Sequence, residues 1–304
     1  MVFKKILDKL TRNQDFKETK YINDRKKQAS LFKTEHETEI NLIQKKIKNQ
    51  TTLNFLHSGH AADIINVLPV IKKLSTSHKC NLYININQPI DFYYKHPAGK
   101  FFINDKIYQM LKPLLNNQKY LNEVEKYSNQ NIDINFDLFR KLPINNLFDN
   151  IRYASIVTGI QPDYTENFLE ADSHDKLINK IIIQRTFRYR NEFINYKFLS
   201  NYDDLYFVGT LEEFKDLKLD IKNLEFYDCE NFLDMARIVK SSRFVLANSS
   251  ITFPIAEGLN KPRLLESCPD FPAAQPHGPN AYNFYFQSHF EKIFNNLYNS
   301  NINI

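Results

Sequence analysis

The sequence has no tryptophan, three cysteines and six glycines among 304 residues. Cys80, Cys229 and Cys268 stand far apart, make no CxxC and leave one over from any pairing. They read as thiols of a reducing compartment, not as a disulfide frame or a thiolate metal site. The glycines form no GxGxxG, no P-loop and no GxSxG, so dehydrogenases, P-loop NTPases and α/β-hydrolases lack their signatures. No apolar run approaches the ~20 residues that span a bilayer, and the N-terminus lacks the apolar core of a signal peptide. A cytoplasmic protein is expected.

Hydrophobic residues make up 42% and charged residues 25%, the balance of a globular protein long enough for two domains. The formal charge of +5 is uneven. Residues 1–52 carry 13 Lys and Arg against 7 Asp and Glu, and the remainder is close to neutral. Such a segment could touch nucleic acid or an anionic membrane surface. Acids are interleaved through "KTEHETEINLIQKKIKN", however, and Ile40, Leu42, Ile43 and Ile47 space out as one apolar stripe, which favours a solvated helix packed on the body.

Beyond this extension, short apolar runs alternate with helical patterns. Strands are expected at 53–57, 80–86 and 132–139, with a helix over "ADIINVLPVIKKLS" and another, broken at Pro113, over "KIYQMLKPLLNNQKYLNEVEKY". Residues 89–105 carry turn residues and read as a loop. A second series of strands is expected at 178–184, 204–209, 223–227, 243–249 and 262–267, with helices between. The near-continuous Ile, Leu, Val and Phe of these runs suits parallel strands covered on both faces. The pattern predicts two doubly wound α/β domains, 53–172 and 173–282, joined by a polar hinge, with a C-terminal helix (283–304) packing back across the cleft between them. Ligands of such sheets bind at the carboxyl ends of the strands.

Chemistry-bearing residues gather at those ends. "IIIQRTFRYRNE" places Arg185, Arg188 and Arg190 directly after a strand, where guanidiniums can grip a diphosphate without a metal. The alternative is a solvated basic loop, or Arg190 paired with Glu192. Ser249 and Ser250 start a helix, whose unpaired N–H groups take phosphate or simply form a cap. In "FLHSGHAADIINVLP" a strand feeds through a turn into a helix opened by Asp63. His57 and His60, with Asp63 near, admit a metal reading, but they straddle a strand end and have no matching cluster elsewhere, so no metal is expected.

The stretch "SGHAADIINVLP" resembles the first motif of the GT-B glycosyltransferases related to the ADP-heptose:lipopolysaccharide heptosyltransferases, where an acid is followed by four residues and Leu-Pro. Asp63, Leu68 and Pro69 keep that spacing, with Ala62 where the family usually has Gly. "RFVLANSSITFPIAEGLNKPRLLE" is similar to the family's donor-binding segment, with Asn248-Ser249-Ser250 for the usual Asp-Ser-Gly and Phe253 for a nearby His. The resemblance implies a GT-B fold of two Rossmann-like domains facing a cleft. It also implies an inverting, metal-independent glycosyltransferase that uses a nucleotide-sugar donor and no cofactor, acting on a surface glycan, lipopolysaccharide or lipid-linked saccharide.

Asp63 then becomes the base, and Arg185, Arg188, Arg190, Ser249 and Ser250 the donor's phosphate cradle. Glu266, with Glu257, is the candidate for the donor ribose, and His57, Ser58, Gly59, His60, His277 and Asn280 are candidates to line the cleft. Glu257 and Glu266 are nine apart, where retaining GT-B enzymes space their glutamates by eight. Three alternatives stay open: a phage-type enzyme that glycosylates a hydroxylated DNA base, a nucleotide-sugar epimerase, and a non-catalytic nucleotide-sugar or glycan-binding module.

Overall fold

The computed structural model describes residues 2–91, 96–142 and 148–300. A helical rod opens the chain: α1 (Val2–Phe32), a π-turn (Lys33–Glu37) and α2 (Thr38–Asn49). Every residue from 14 to 35 is exposed. The contact with the body described is that of α2, which buries Ile43 with Ile40 and Ile47 beside it, while Lys46 donates to the Ile132 and Asp133 carbonyls. Leu42, expected on that stripe, is 50% exposed on the opposite side.

The first half runs β1 (Thr52–His57), α3 (Ala61–Asn66), α4 (Leu68–Leu74), β2 (Lys79–Ile84), α5 (Asp105–Asn116), β3 (Glu123–Lys126), β4 (Ile134–Asn135) and α6 (Tyr153–Thr158). The second runs β5 (Ile181–Gln184), β6 (Leu205–Phe207), α7 (Leu211–Lys218), β7 (Glu225–Phe226), α8 (Phe232–Ser241), β8 (Phe244–Ala247), α9 (Thr252–Gly258), β9 (Arg263–Glu266), β10 (Ala281–Phe284) and α10 (Gln287–Asn299). The sheets are ordered β3-β2-β1-β4 and β10-β9-β8-β5-β6-β7, and every named pairing in them is parallel. In each, the chain winds out one way and then returns to the other side of its first strand. The winding therefore reverses between β1 and β4, and again between β5 and β8, and at such a reversal the strand ends leave a crevice for ligand.

Several elements differ from expectation. Residues 123–126 are an edge strand, not the end of a helix: Val124 is buried between exposed charges, the alternation of a strand with one open side. Only Ile134–Asn135 of the expected strand 132–139 is extended, because the chain then coils into a 3-10 turn, Phe136–Lys141. The loop over 89–105 has its centre, 92–95, outside the described residues. Its described part is closed by a bridge between Pro89 and Phe101.

Residues 281–284 form a strand beside β9, and α10 packs on the second sheet rather than across the cleft. Phe290 stacks on Phe284 at 4.1 Å between ring centroids, and Phe294 meets Phe244 edge-on. These aromatics find their apolar surface on the sheet that precedes them. Residues 301–304 of that expected segment lie outside the described residues.

Residues 159–176, expected as a hinge, run as a strap stitched to both halves. The Phe168 and Leu169 N–H groups both donate to the Gly258 carbonyl on α9, and the Tyr120 hydroxyl donates to the Phe168 carbonyl at 2.6 Å. Gly258 permits this approach, since a Cβ there would lie 2.6 Å from Leu169. One hydrophobic cluster runs through both halves, from Ile43 and Leu53 to Val245 and Phe253.

Candidate functional site

At the first reversal, β1 ends in His57 and β4 leads into the turn that carries Asp137 and Arg140. Asp137 accepts the Ser58 N–H at 3.0 Å on one oxygen and the Ser58 hydroxyl at 2.6 Å on the other. Burial works against its charge, but His57, Arg140 and the Ser58 bonds outweigh it and keep the carboxyl below its usual range. The Arg140 guanidinium pairs with Asp137 and lies over the Phe102 and Phe139 rings, 4.6 and 4.9 Å from their centroids.

The His57 Nδ1 accepts the Gly59 N–H at 2.8 Å, which leaves the ring proton on Nε2. Burial lowers its pKa despite Asp137 at 3.6 Å, so the ring is neutral. A Cβ on Gly59 would fall 2.5 Å from the His57 ring, 2.8 Å from the Arg140 guanidinium and 2.9 Å from the Asp63 Cβ. Only glycine fits between those three groups.

Asp63 stands in the first turn of α3, where its Oδ2 accepts the His60 N–H at 3.0 Å. This is the capping role open to any acid at a helix start. Here the acid also borders a pocket of about 10 Å³ with His57, Phe136, Phe139, Asn150 and Tyr153, room for about one water molecule. His60 contacts the Phe102 carbonyl at 2.9 Å through Nδ1, and its ring lies 4.7 Å from that of His96. Burial lowers the pKa of both rings, His96 to about 3, and the charge of Arg188 from the second half lowers both further. The charge of Arg188 is thus felt at His60 and His96 of the first half.

At the second reversal the three arginines part company. Arg185 is buried, its Nε and Nη2 fixed to Glu266 at 2.8 and 2.9 Å. Glu266 also accepts from the Tyr196 hydroxyl and the Asn191 N–H, each at 2.7 Å. The pair is spent on itself, which leaves Arg185 without that edge for phosphate and Glu266, fully buried, without reach to a ribose. Arg190 pairs with Asp216 at 2.7 Å, not with Glu192, and lies over the Phe187 ring.

Ser250 is buried, both its N–H and its hydroxyl turned to the Asn248 carbonyl, and Ser249 is half-buried beside it. The Thr252 N–H and hydroxyl both donate to the Gln184 side chain, at 3.0 and 2.6 Å. The start of α9 is therefore largely satisfied from within.

No protein-family model and no curated protein matches the sequence. Solved structures do match the fold. E. coli heptosyltransferase WaaC with ADP-2-deoxy-2-fluoro heptose aligns with a TM-score of 0.51 at 9% identity, over 77% of this chain and 92% of that one. The glycosyl transferase family 9 protein of Veillonella parvula aligns at 0.53 and 9%, over 81% and 91%. E. coli ADP-heptose lps heptosyltransferase II aligns at 0.50 and 11%, over 81% and 98%. The fold is GT-B.

In a GT-B frame the two reversals face one cleft, and the remaining expected residues sort by whether they reach it. His57, Ser58, Gly59, His60 and Asp63 gather at the first reversal. Asn280 does not reach the cleft: its carbonyl accepts the Arg263 N–H beside the first residues of β9 and β10, the amino edge of the second sheet. Glu257 is buried against Arg263 and accepts the His277 N–H. Burial raises its pKa, with Arg263 opposing. The His277 Nε2 lies 2.9 Å from Asp149 of the first half, without hydrogen-bond alignment.

Among the described residues no cluster of three His, Cys, Asp or Glu is placed to hold a metal, and no helix is long and apolar enough to cross a membrane. Sequence reasoning missed Asp137, Arg140 and His96. The available signal was Asp137-x-x-Arg140, hidden by reading 132–139 as a strand.

Proposed function

We propose that this protein is a glycosyltransferase that moves a sugar from a nucleotide-sugar donor to an acceptor hydroxyl, with inversion and without a metal. Two observations carry the reading: Asp63 opens α3 beside the small pocket it shares with His57, and the charge of Arg188, on the first strand-end loop of the other half, is felt at the neighbouring His60 and His96. One carboxylate oxygen of Asp63 is engaged by the His60 N–H. The other takes the acceptor's proton as its oxygen attacks the anomeric carbon. The bond from that carbon to the diphosphate breaks on the opposite face, so a single displacement inverts the centre. Arg188, with Arg140 across the crevice, neutralises the charge gathering on the leaving diphosphate. The neutral His57 and His60 add no competing positive charge beside the base.

The WaaC neighbour's description carries ADP-2-deoxy-2-fluoro heptose, and heptosyltransferase II is described as acting on lipopolysaccharide. An ADP-activated heptose or related sugar, with a surface-glycan or lipopolysaccharide acceptor, is accordingly the substrate class to test first. The deciding variant is Asp63→Asn. Its amide oxygen still accepts the His60 N–H, so the start of α3 is kept, while the base is lost. Turnover should fall by roughly 10²–10⁴, with nucleotide-sugar binding, read by thermal shift, unchanged. Full activity in Asp63→Asn would overturn the assignment.

A further inference from the structure

The two reversals are closed by the same device. In the first half, Asp137 beyond β4 accepts the N–H and hydroxyl of Ser58, just past β1. In the second, Asn248 beyond β8 accepts the N–H and hydroxyl of Thr186, just past β5, at 3.1 and 3.3 Å. The second clasp goes further. The Asn248 Nδ2 donates to the Thr186 carbonyl at 3.0 Å and to the Arg188 carbonyl at 2.8 Å. Its amide is thus used on both sides, and the residue is fully buried.

A carboxylate could make the first two bonds but not the last two, because it has no proton to give. That is a chemical reason for Asn here, where a carboxylate serves in the other half. The single proton of the Thr186 hydroxyl is divided between the Asn248 Oδ1 and the Arg188 carbonyl, which lies 3.0 Å away.

We propose that Asn248 is a positioning residue: by clasping the loop of residues 186–188 to the end of β8, it sets the reach of Arg188 toward the diphosphate of the donor. The inference rests on the transferase reading of the cleft. It adds that phosphate binding by Arg188 depends on an amide that points away from the ligand. The low pKa of His60 and His96, each depressed in part by Arg188, fits a guanidinium held at a fixed place facing them.

Two measurements test it on the full-length chain. The first needs no ligand: hydrogen exchange at the amides of 186–190 in wild type, Asn248→Asp and the milder Thr186→Val, which keeps the side-chain shape and removes the hydroxyl. Faster exchange confined to this loop in both variants is expected. Unchanged exchange in a folded variant overturns the clasp.

The second is a double-mutant cycle on the affinity for ADP, with Arg188→Gln as the partner change. Asn248→Asp should weaken ADP by roughly tenfold in the wild-type background, the worth of one or two hydrogen bonds, and hardly at all in the Arg188→Gln background. Equal losses in both backgrounds would mean a general structural role and overturn the positioning claim. If the wild type binds neither ADP nor any other nucleoside diphosphate, the transferase reading falls and the role of Arg188 falls with it, a result distinguishable from failure of the clasp because the exchange data stand apart.

Discussion

Gly59 is the tightest residue of the site. Gly59→Ala would put a methyl group within 3 Å of His57, Arg140 and Asp63 at once. These neighbours are held by their own bonds, so the expected cost is about 1–3 kcal/mol of stability and most of the turnover. Thermal melts and initial rates on the same preparation check both. The buried histidines give a second residue-scale expectation. In the folded chain the His57 and His60 pKa values are lowered, and that of His96 falls to about 3, whereas an unfolded His titrates near ~6.5. Below that pH the unfolded chain takes up protons that the folded chain refuses, so stability is complete above it and is lost progressively as the solution becomes more acid. The melting temperature should fall between pH 7 and pH 5, and His57→Gln, which keeps an acceptor for the Gly59 N–H, should flatten that profile. At this scale the sequence revealed where chemistry would gather but not how the side chains there are partnered. Three arginines in six residues look alike in the sequence, yet Arg185 turns inward to Glu266 and Arg190 to Asp216. Both partners lie outside the local pattern, and nothing near the arginines announces them.

At the scale of elements, legibility followed burial. Strands β1, β2, β5, β6, β8 and β9 are apolar because neighbours or helices cover them, and their runs were readable. β3 and β10 stand at sheet edges, where polar residues are tolerated, and both were mistaken for helix. β4 and β7 lie inside the runs expected as strands at 132–139 and 223–227, but each is only two residues long. The start of α9 offers a test of how elements are joined. Gln184, the last residue of β5, accepts both donors of Thr252 through one side-chain oxygen inside the protein. Gln184→Leu keeps the volume and strands both donors, so a loss of about 1–3 kcal/mol is expected in denaturant unfolding. A change under ~0.5 kcal/mol would mean that water replaces the amide.

For the whole molecule, one hydrophobic cluster crosses from the first half to the second, and the strap at 159–176 is bonded to both. The halves should therefore melt together. Calorimetry is expected to give one transition whose calorimetric and van't Hoff enthalpies agree, and two resolved transitions would count against a shared core. The N-terminal rod behaves differently, because its residues 14–35 bury nothing. Removing residues 1–35 should leave the melting temperature unchanged, whereas cutting on through Ile43 should lower it, since that side chain is 3% exposed and packs in the shared core.

The rod also governs how the molecule moves through water. From residue 2 to 35 the helical run measures about 50 Å at ~1.5 Å per residue. Friction rises with such a projection while mass hardly changes. On a gel-filtration column the 36.0 kDa monomer should elute early, at the position of a larger sphere, and an elution volume alone would pass for a dimer. Sedimentation equilibrium, which responds to mass and not to outline, would separate a lone chain with a long arm from a true pair.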